Sequence, residues 1–144
     1  MTSKGNNIMN KLNAQHFYIA GAFRNVPLVQ QIAGQLNDAG ATQTFDWTQA
    51  QPNADLATLK GIAQLEQRGI TSCDFLVFVF PGGKGANIEF GIATALQKPI
   101  FIFDTTDTVN NIAETTTFYQ MDHVQKYRGT VGGFVNFIAN NMLL

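Results

Sequence analysis

Short unbroken apolar runs alternate along this chain with longer stretches in which apolar residues recur at helical spacing. Phe17-Tyr18-Ile19-Ala20-Gly21 is the first run, and Pro27–Ala39 follows with Leu28, Ile32 and Leu36 on one helical face. Gly40 suits the left-handed residue that closes a helix, and Ala41–Trp47 predicts a second strand. Pro52-Asn53-Ala54-Asp55 reads as a turn and helix start, after which Leu56, Leu59, Ile62, Ala63, Leu65 and Ile70 fit a helix running toward Ser72. Phe75–Phe80 and Ile100–Phe103 have the length and the β-branched and aromatic content of strands covered on both faces, with a helical stretch, Asn87–Gln97, between them. Asp104–Thr117 is polar and rich in Thr and Asn, a connection of the kind that forms a lid or an intersubunit contact. Phe118–Val124 predicts a short fifth strand, and Thr130–Leu143 a closing helix with Val131, Phe134, Val135 and Ile138 inward.

Strands alternating with helices specify a parallel sheet, because right-handed crossovers lay helices on each side of it. The expected fold is an α/β three-layer sandwich, flavodoxin-like or Rossmann-like, with about five strands and helices on both faces. Residues 1–15 are polar, without sustained periodicity, and read as a flexible leader; residues 16–144 read as a single domain. In an open parallel sheet, ligands sit beyond the carboxyl ends of the strands. Gly21-Ala22-Phe23-Arg24, Asp46-Trp47, Pro81–Gly85 and Asp104 would all gather at that edge.

Composition narrows the ligands. The apolar content, 45% with twelve Phe, is enough for a sizeable core in 144 residues. A net charge of −1 and an isoelectric point near 6.0 provide no basic field for a nucleic-acid polymer. No transmembrane run or apolar signal segment is visible, so no membrane partner is expected and the location expected is cytoplasmic. The single cysteine, Cys73, reads as a small packed residue. His16 and His123 stand far apart with no ligand at metal spacing, so no metal and no cofactor is expected. His16 suits a surface position before the first strand; His123 fits either a loop or the rim of a site.

The most distinctive chemistry lies between the two central strands, in Pro81-Gly82-Gly83-Lys84-Gly85-Ala86-Asn87-Ile88-Glu89. Gly82, Gly83 and Gly85 remove side chains where a ligand could approach the backbone. Glu89, placed in the first turn of a helix, either complements the dipole and faces water or stands ionised at a ligand site. In the second case it suits covalent attack on an electrophilic sugar carbon. The P-loop pattern would need Gly at Phe78, and the dinucleotide fingerprint would need Gly at Ile88, so nucleoside-triphosphate hydrolysis and hydride transfer are disfavoured. Acids (Asp46, Glu89, Glu66, Asp104) suit a sugar and aromatics (Tyr18, Phe23, Trp47) suit a flat base, with Arg24 as a cation beside them. A nucleoside is the natural ligand. Asn87 suits a helix cap or a sugar contact, and Lys84 a solvated charge or a phosphate ligand.

FYIAGAFRN, DWT and GANIEFGIATALQKPIFIF together resemble the nucleoside 2-deoxyribosyltransferase superfamily, including its nucleotide N-hydrolase branch, over roughly residues 17–103. The resemblance implies that Glu89, in Glu89-Phe90-Gly91-Ile92-Ala93, attacks the anomeric carbon, forms a glycosyl-enzyme ester and passes the sugar to a second base or to water. It implies that Glu66 orients the nucleophile or sugar, that Tyr18, Gly21, Phe23 and Arg24 contact substrate, with Arg24 available to a 5′-phosphate, and that the chain forms a homo-oligomer, dimer or higher. Where many transferases carry an Asp that protonates the base, this chain has Gly83, so leaving-group activation would come from elsewhere, with Asp46 a candidate. PGGKGANIE is also similar to a motif of the cytokinin-activating phosphoribohydrolases. Both resemblances imply scission of an N-glycosidic bond, with nucleoside or nucleotide and free base as the small-molecule partners. The missing acid at Gly83 equally suits a domain that senses a nucleotide without turning it over.

Overall fold

The computed structural model describes residues 11–49 and 54–142. The apolar runs form one parallel sheet of β1 (His16–Ala20), β2 (Thr42–Gln43), β3 (Phe75–Phe80), β4 (Ile100–Asp104) and β5 (Val124–Tyr127), in spatial order β2-β1-β3-β4-β5. Among the described residues the α-helices are α1 (Val26–Asp38), α2 (Leu56–Ser72), α3 (Lys84–Ala95) and α4 (Val131–Asn141). Helix α1 packs with α4, and α2 with α3, giving a helical layer on each face. The expected flavodoxin-like sandwich is the observed architecture. None of these helices is long and apolar enough to cross a membrane.

Every residue of β3 and β4 is buried, as unbroken apolar runs require of central strands. The register pairs Tyr18 with Leu76 and Ala20 with Phe78. Phe78 packs edge-on against Phe90 of α3, so Tyr18, two residues back and one strand over, also faces the α2/α3 layer. On the opposite face Phe101 and Phe103 meet Phe137 and Phe134 of α4. The chain moves one way along the sheet after β1 and the other way after β3, so the order reverses between these neighbours. A crevice opens beyond the carboxyl ends at such a reversal, where Gly21 and Pro81 follow β1 and β3.

Several boundaries differ from the sequence reading for local reasons. Strand β2 holds only Thr42–Gln43, because the Thr44 hydroxyl turns to the Gly69 carbonyl at 2.8 Å and Trp47–Gln49 coils into a 3-10 turn. The fifth strand is Val124–Tyr127 rather than Phe118–Val124, with Val124 opposite Ile100. Thr117–Gln120 is instead a 3-10 turn, capped by the Thr116 hydroxyl, that drives the Tyr119 ring among Phe78, Phe80 and Phe90. Helix α3 begins at Lys84 rather than Asn87, with Gly83 at its N-cap position. His16 is the first residue of β1 and pairs with Asp74 at 3.4 Å. The expected leader divides: residues 1–10 lie outside the described residues, whereas Leu12 is wholly buried and the Ala14 amide donates to the Gly40 carbonyl. Gly40 takes the positive φ expected of it, 95°. Pro52, Asn53 and Leu143 also lie outside the described residues; α2 starts on an Asp55 cap, whose carboxylate accepts the Thr58 amide at 2.8 Å.

Candidate active site

Helix α3 buries Ala86, Glu89, Phe90 and Ala93, the i, i+3, i+4, i+7 stripe of a helix facing a core. Glu89 thus puts a carboxyl where an apolar residue would ordinarily pack, 8% exposed. A buried carboxylate needs a hydrogen-bond partner. Strand β1 supplies one: the wholly buried Tyr18 donates its hydroxyl to Glu89 Oε2, and the same hydroxyl stands 3.5 Å from Glu66 Oε2 of α2. Side chains from β1, α2 and α3 therefore meet at one phenol oxygen.

The electrostatics differ from the sequence expectation. Glu89 lies in the second turn of α3, past the reach of the helix dipole, so the dipole does not hold it ionised. Burial, opposed by the Tyr18 hydrogen bond and reinforced by the nearby Glu66 carboxyl, pushes the Glu89 carboxyl up to about 8. Burial and the two carboxyls push the Tyr18 phenol far above its ordinary range, so that it remains a donor.

A cavity of about 620 Å³ opens beside these groups, within the size of sites that take small organic ligands. Gly21, Ala22 and Phe23 form its β1 side; Ala63, Glu66, Gln67 and Ile70 come from one face of α2; Gly83 to Ala86, Ile88, Glu89 and Ile92 come from the start of α3. Its wall is mostly apolar, with the two carboxyls, Gln67 and Lys84 as the polar groups. Trp47 closes one side, its indole N–H donating to the Ile19 carbonyl at 2.6 Å, and Phe23 meets it edge-on with a ring that is 77% exposed. A flat apolar group entering the cavity would meet the exposed Phe23 ring, with the buried Trp47 behind it in the wall.

The sequence-derived candidates separate into two groups. Glu89, Glu66, Gly21, Phe23, Trp47, Gly83 and Gly85 line the cavity together. Gly83 and Gly85 have no atom within 4 Å of where a side chain would begin, so their backbone is open there. The others act from outside the wall. Tyr18 is a buried support beneath Glu89 rather than a lining residue. Asp46 turns its carboxylate to the amide and hydroxyl of Thr48. Arg24 is exposed and donates to the Pro81 carbonyl at 3.4 Å. Gly82 is a packing residue, since a Cβ there would stand 2.8 Å from Phe78 Cζ. Asn87 is not the cap of α3; its Nδ2 donates to the Gly83 carbonyl at 2.9 Å and, at 3.4 Å, to that of Gly82.

Asp104, also grouped with the acids, accepts from Thr106 and from the Val109 amide, and so shapes the loop after β4. Cys73 is buried, and burial pushes its thiol up to about 11, as suits a packed residue. His123 bonds the Thr94 hydroxyl at 2.9 Å. The sequence reading missed Gln67, Ala63 and Ile70, although their spacing from Glu66 on one helical face was available to find them. It also missed Tyr119, which gave no signal beyond being one aromatic among many.

No family model matches the sequence, and none of the curated proteins matches it at a significant level. Among solved structures, the fold is similar to a CMP N-glycosidase from Clostridium botulinum, with a TM-score of 0.59 and 13% identity over 86% of this chain and 98% of that one. It is also similar to a 2-deoxyribosyltransferase from Bacillus psychrosaccharolyticus, with a TM-score of 0.62 and 18% identity over 84% of this chain and 90% of that one. At these identities the likeness defines the fold.

Proposed function

We propose that this chain cleaves the N-glycosidic bond of a (deoxy)nucleoside and transfers the deoxyribosyl group to another base. The observation that carries the reading is Glu89 itself: a carboxyl on the wall of a ligand-sized cavity, held from below by Tyr18 and flanked by Glu66. In its ionised form Glu89 attacks C1′ of the sugar as the bond from C1′ to the base nitrogen breaks. The base leaves with the bonding electrons and gains a proton from water, and a glycosyl ester of Glu89 remains. A second base then attacks C1′ and releases the carboxylate, so two inversions give net retention. Glu66 accepts hydrogen bonds from the sugar hydroxyls, while Phe23 and Trp47 flank the base. Tyr18 holds the carboxylate that leaves and re-forms in each turnover. The reading includes assembly as a homo-oligomer, which sedimentation would check.

A second reading, hydrolysis of a nucleoside 5′-monophosphate, draws on Lys84 and on the uncapped start of α3 at the cavity, a combination suited to a phosphate. The protein is incubated with deoxynucleosides and with nucleoside monophosphates, with and without an acceptor base, and products are followed by chromatography. Exchange of bases supports transfer; free base and sugar phosphate support hydrolysis. Tight binding of a nucleotide that emerges uncleaved supports a sensing domain and overturns both enzymatic readings.

A further inference from the structure

Tyr119 lies outside the cavity wall, in the long segment after β4, and is buried against the rings of Phe78, Phe80 and Phe90. Its hydroxyl donates to Asn87 Oδ1. That bond fixes which way the Asn87 amide faces, and the Nδ2 side then donates to the successive carbonyls of Gly82 and Gly83. These carbonyls belong to the Gly82-Gly83-Lys84-Gly85 turn. Gly83 and Gly85 have open space where a side chain would begin, so side-chain packing adds nothing there to the hydrogen bonds that hold the turn, and glycine has more backbone freedom to lose than any other residue. The same turn forms one side of the cavity and starts the helix that carries Glu89.

We propose that Tyr119 and Asn87 are positioning residues: a strap from the segment after β4 that holds the glycine turn, and through it the start of α3, in register with Glu89. The segment is itself tied down, by the Thr116 cap on one side of Tyr119 and, on the other, by the Lys126 ammonium donating to the side-chain oxygen Gln120 Oε1 at 3.0 Å. The strap therefore has a firm anchor to pull against. Its bearing on catalysis rests on the function proposed above; its bearing on the turn does not. Misplacing a reacting group by about an ångström costs on the order of a hundredfold in rate, so a turn that wanders would be felt at Glu89.

Tyr119→Phe keeps the ring packing and removes only the hydroxyl. Hydrogen exchange of the Asn87 and Ile88 amides is expected to speed up about tenfold in this variant, the worth of one ordinary hydrogen bond, while exchange within β3 stays as in the wild type. This arm needs no substrate and holds whatever the reaction proves to be. For wild-type protein that releases base, kcat is expected to fall about tenfold in Tyr119→Phe and in Asn87→Ala with KM little changed, and the double variant to be no slower than the slower single one. Asn87→Asp keeps an acceptor for Tyr119 and loses the donor to the glycine carbonyls, so it is expected to match Asn87→Ala. Unchanged exchange in Tyr119→Phe overturns the proposal, as does unchanged kcat in an active enzyme or full activity in Asn87→Asp. A wild type that releases no base overturns the proposed function and leaves the exchange result to decide the strap.

Discussion

The Tyr18 hydroxyl of β1 donates to the Glu89 carboxyl of α3, joining the two elements that bound the crevice between β1 and β3. Each group explains the other's burial. A phenol at the sheet surface needs an acceptor, and a carboxyl on a core-facing stripe needs a donor. Removing the phenol oxygen in Tyr18→Phe leaves Glu89 with its desolvation and without its donor. Base release is expected to drop by about 10- to 100-fold, since a hydrogen bond to a charged group contributes about 1.5–3 kcal/mol. Steady-state kinetics checks this. The rising limb of the pH profile should also move to higher pH in the variant, because the hydrogen bond from Tyr18 is what pulls the Glu89 carboxyl down.

Glu89→Ala tests the nucleophile. Where one side chain forms the covalent intermediate, its loss is expected to lower kcat by roughly a thousandfold or more while nucleoside binding persists. Chromatography of released base, with calorimetry for binding, separates the two. Equal rates in wild type and variant would remove Glu89 from the mechanism.

The pH dependence has two parts of opposite sense. The nucleophile must be ionised, so kcat/KM is expected to rise as pH increases toward and through about 8. Stability runs the other way. Between the ordinary value of 4.5 and about 8, the folded chain holds a proton at Glu89 that the unfolded chain has released, so raising the pH through that window favours unfolding. Glu89→Gln has no such titration. Its Tm relative to the wild type is therefore expected to increase between about pH 5 and about pH 9, and a constant difference across that range would show that Glu89 titrates as an ordinary surface acid.

The fold was legible because the signals were redundant. Phe75–Phe80 and Ile100–Phe103 have no polar residue with which to face water, so both had to be central strands, and the helical spacing of Leu28, Ile32 and Leu36 placed a crossover between the first two strands. Edges were less legible. Strand β5 carries Gln125 and Lys126, which no apolar-run criterion would select, and it is fixed by pairing with β4 across the chain. At the site, Glu89 stood out by its place among glycines and Tyr18 was expected as a substrate contact, whereas the pairing of the two could not be read. Tyr18 reaches Glu89 only because the register of β1 on β3 turns it toward α3, a long-range fact absent from either local sequence. Asp46 and Arg24 follow strand ends as expected, yet the local geometry turns one to Thr48 and the other to the Pro81 carbonyl.

The glycines of the turn make a final, divided prediction. A methyl at Gly82 would meet Phe78 Cζ at 2.8 Å and Ala86 Cβ at 3.0 Å, and Phe78 is itself buried against Phe90 and Tyr119, so the ring has little room to withdraw. Gly82→Ala is expected to destabilise the fold by about 1–3 kcal/mol, the usual effect of overpacking. Gly85 lies inside the first turn of α3 and faces open space. There Ala is the better helix former, and Gly85→Ala is expected to raise stability by up to about 1 kcal/mol. The same methyl would project from the cavity wall where the backbone now lies bare, so KM for the nucleoside is expected to rise severalfold even as Tm increases. Paired denaturation and kinetic measurements on the two variants check this. If Gly85→Ala were stabilised with KM unchanged, the substrate would not approach this stretch of backbone, and the bound nucleoside would have to lie toward Trp47 and α2 instead.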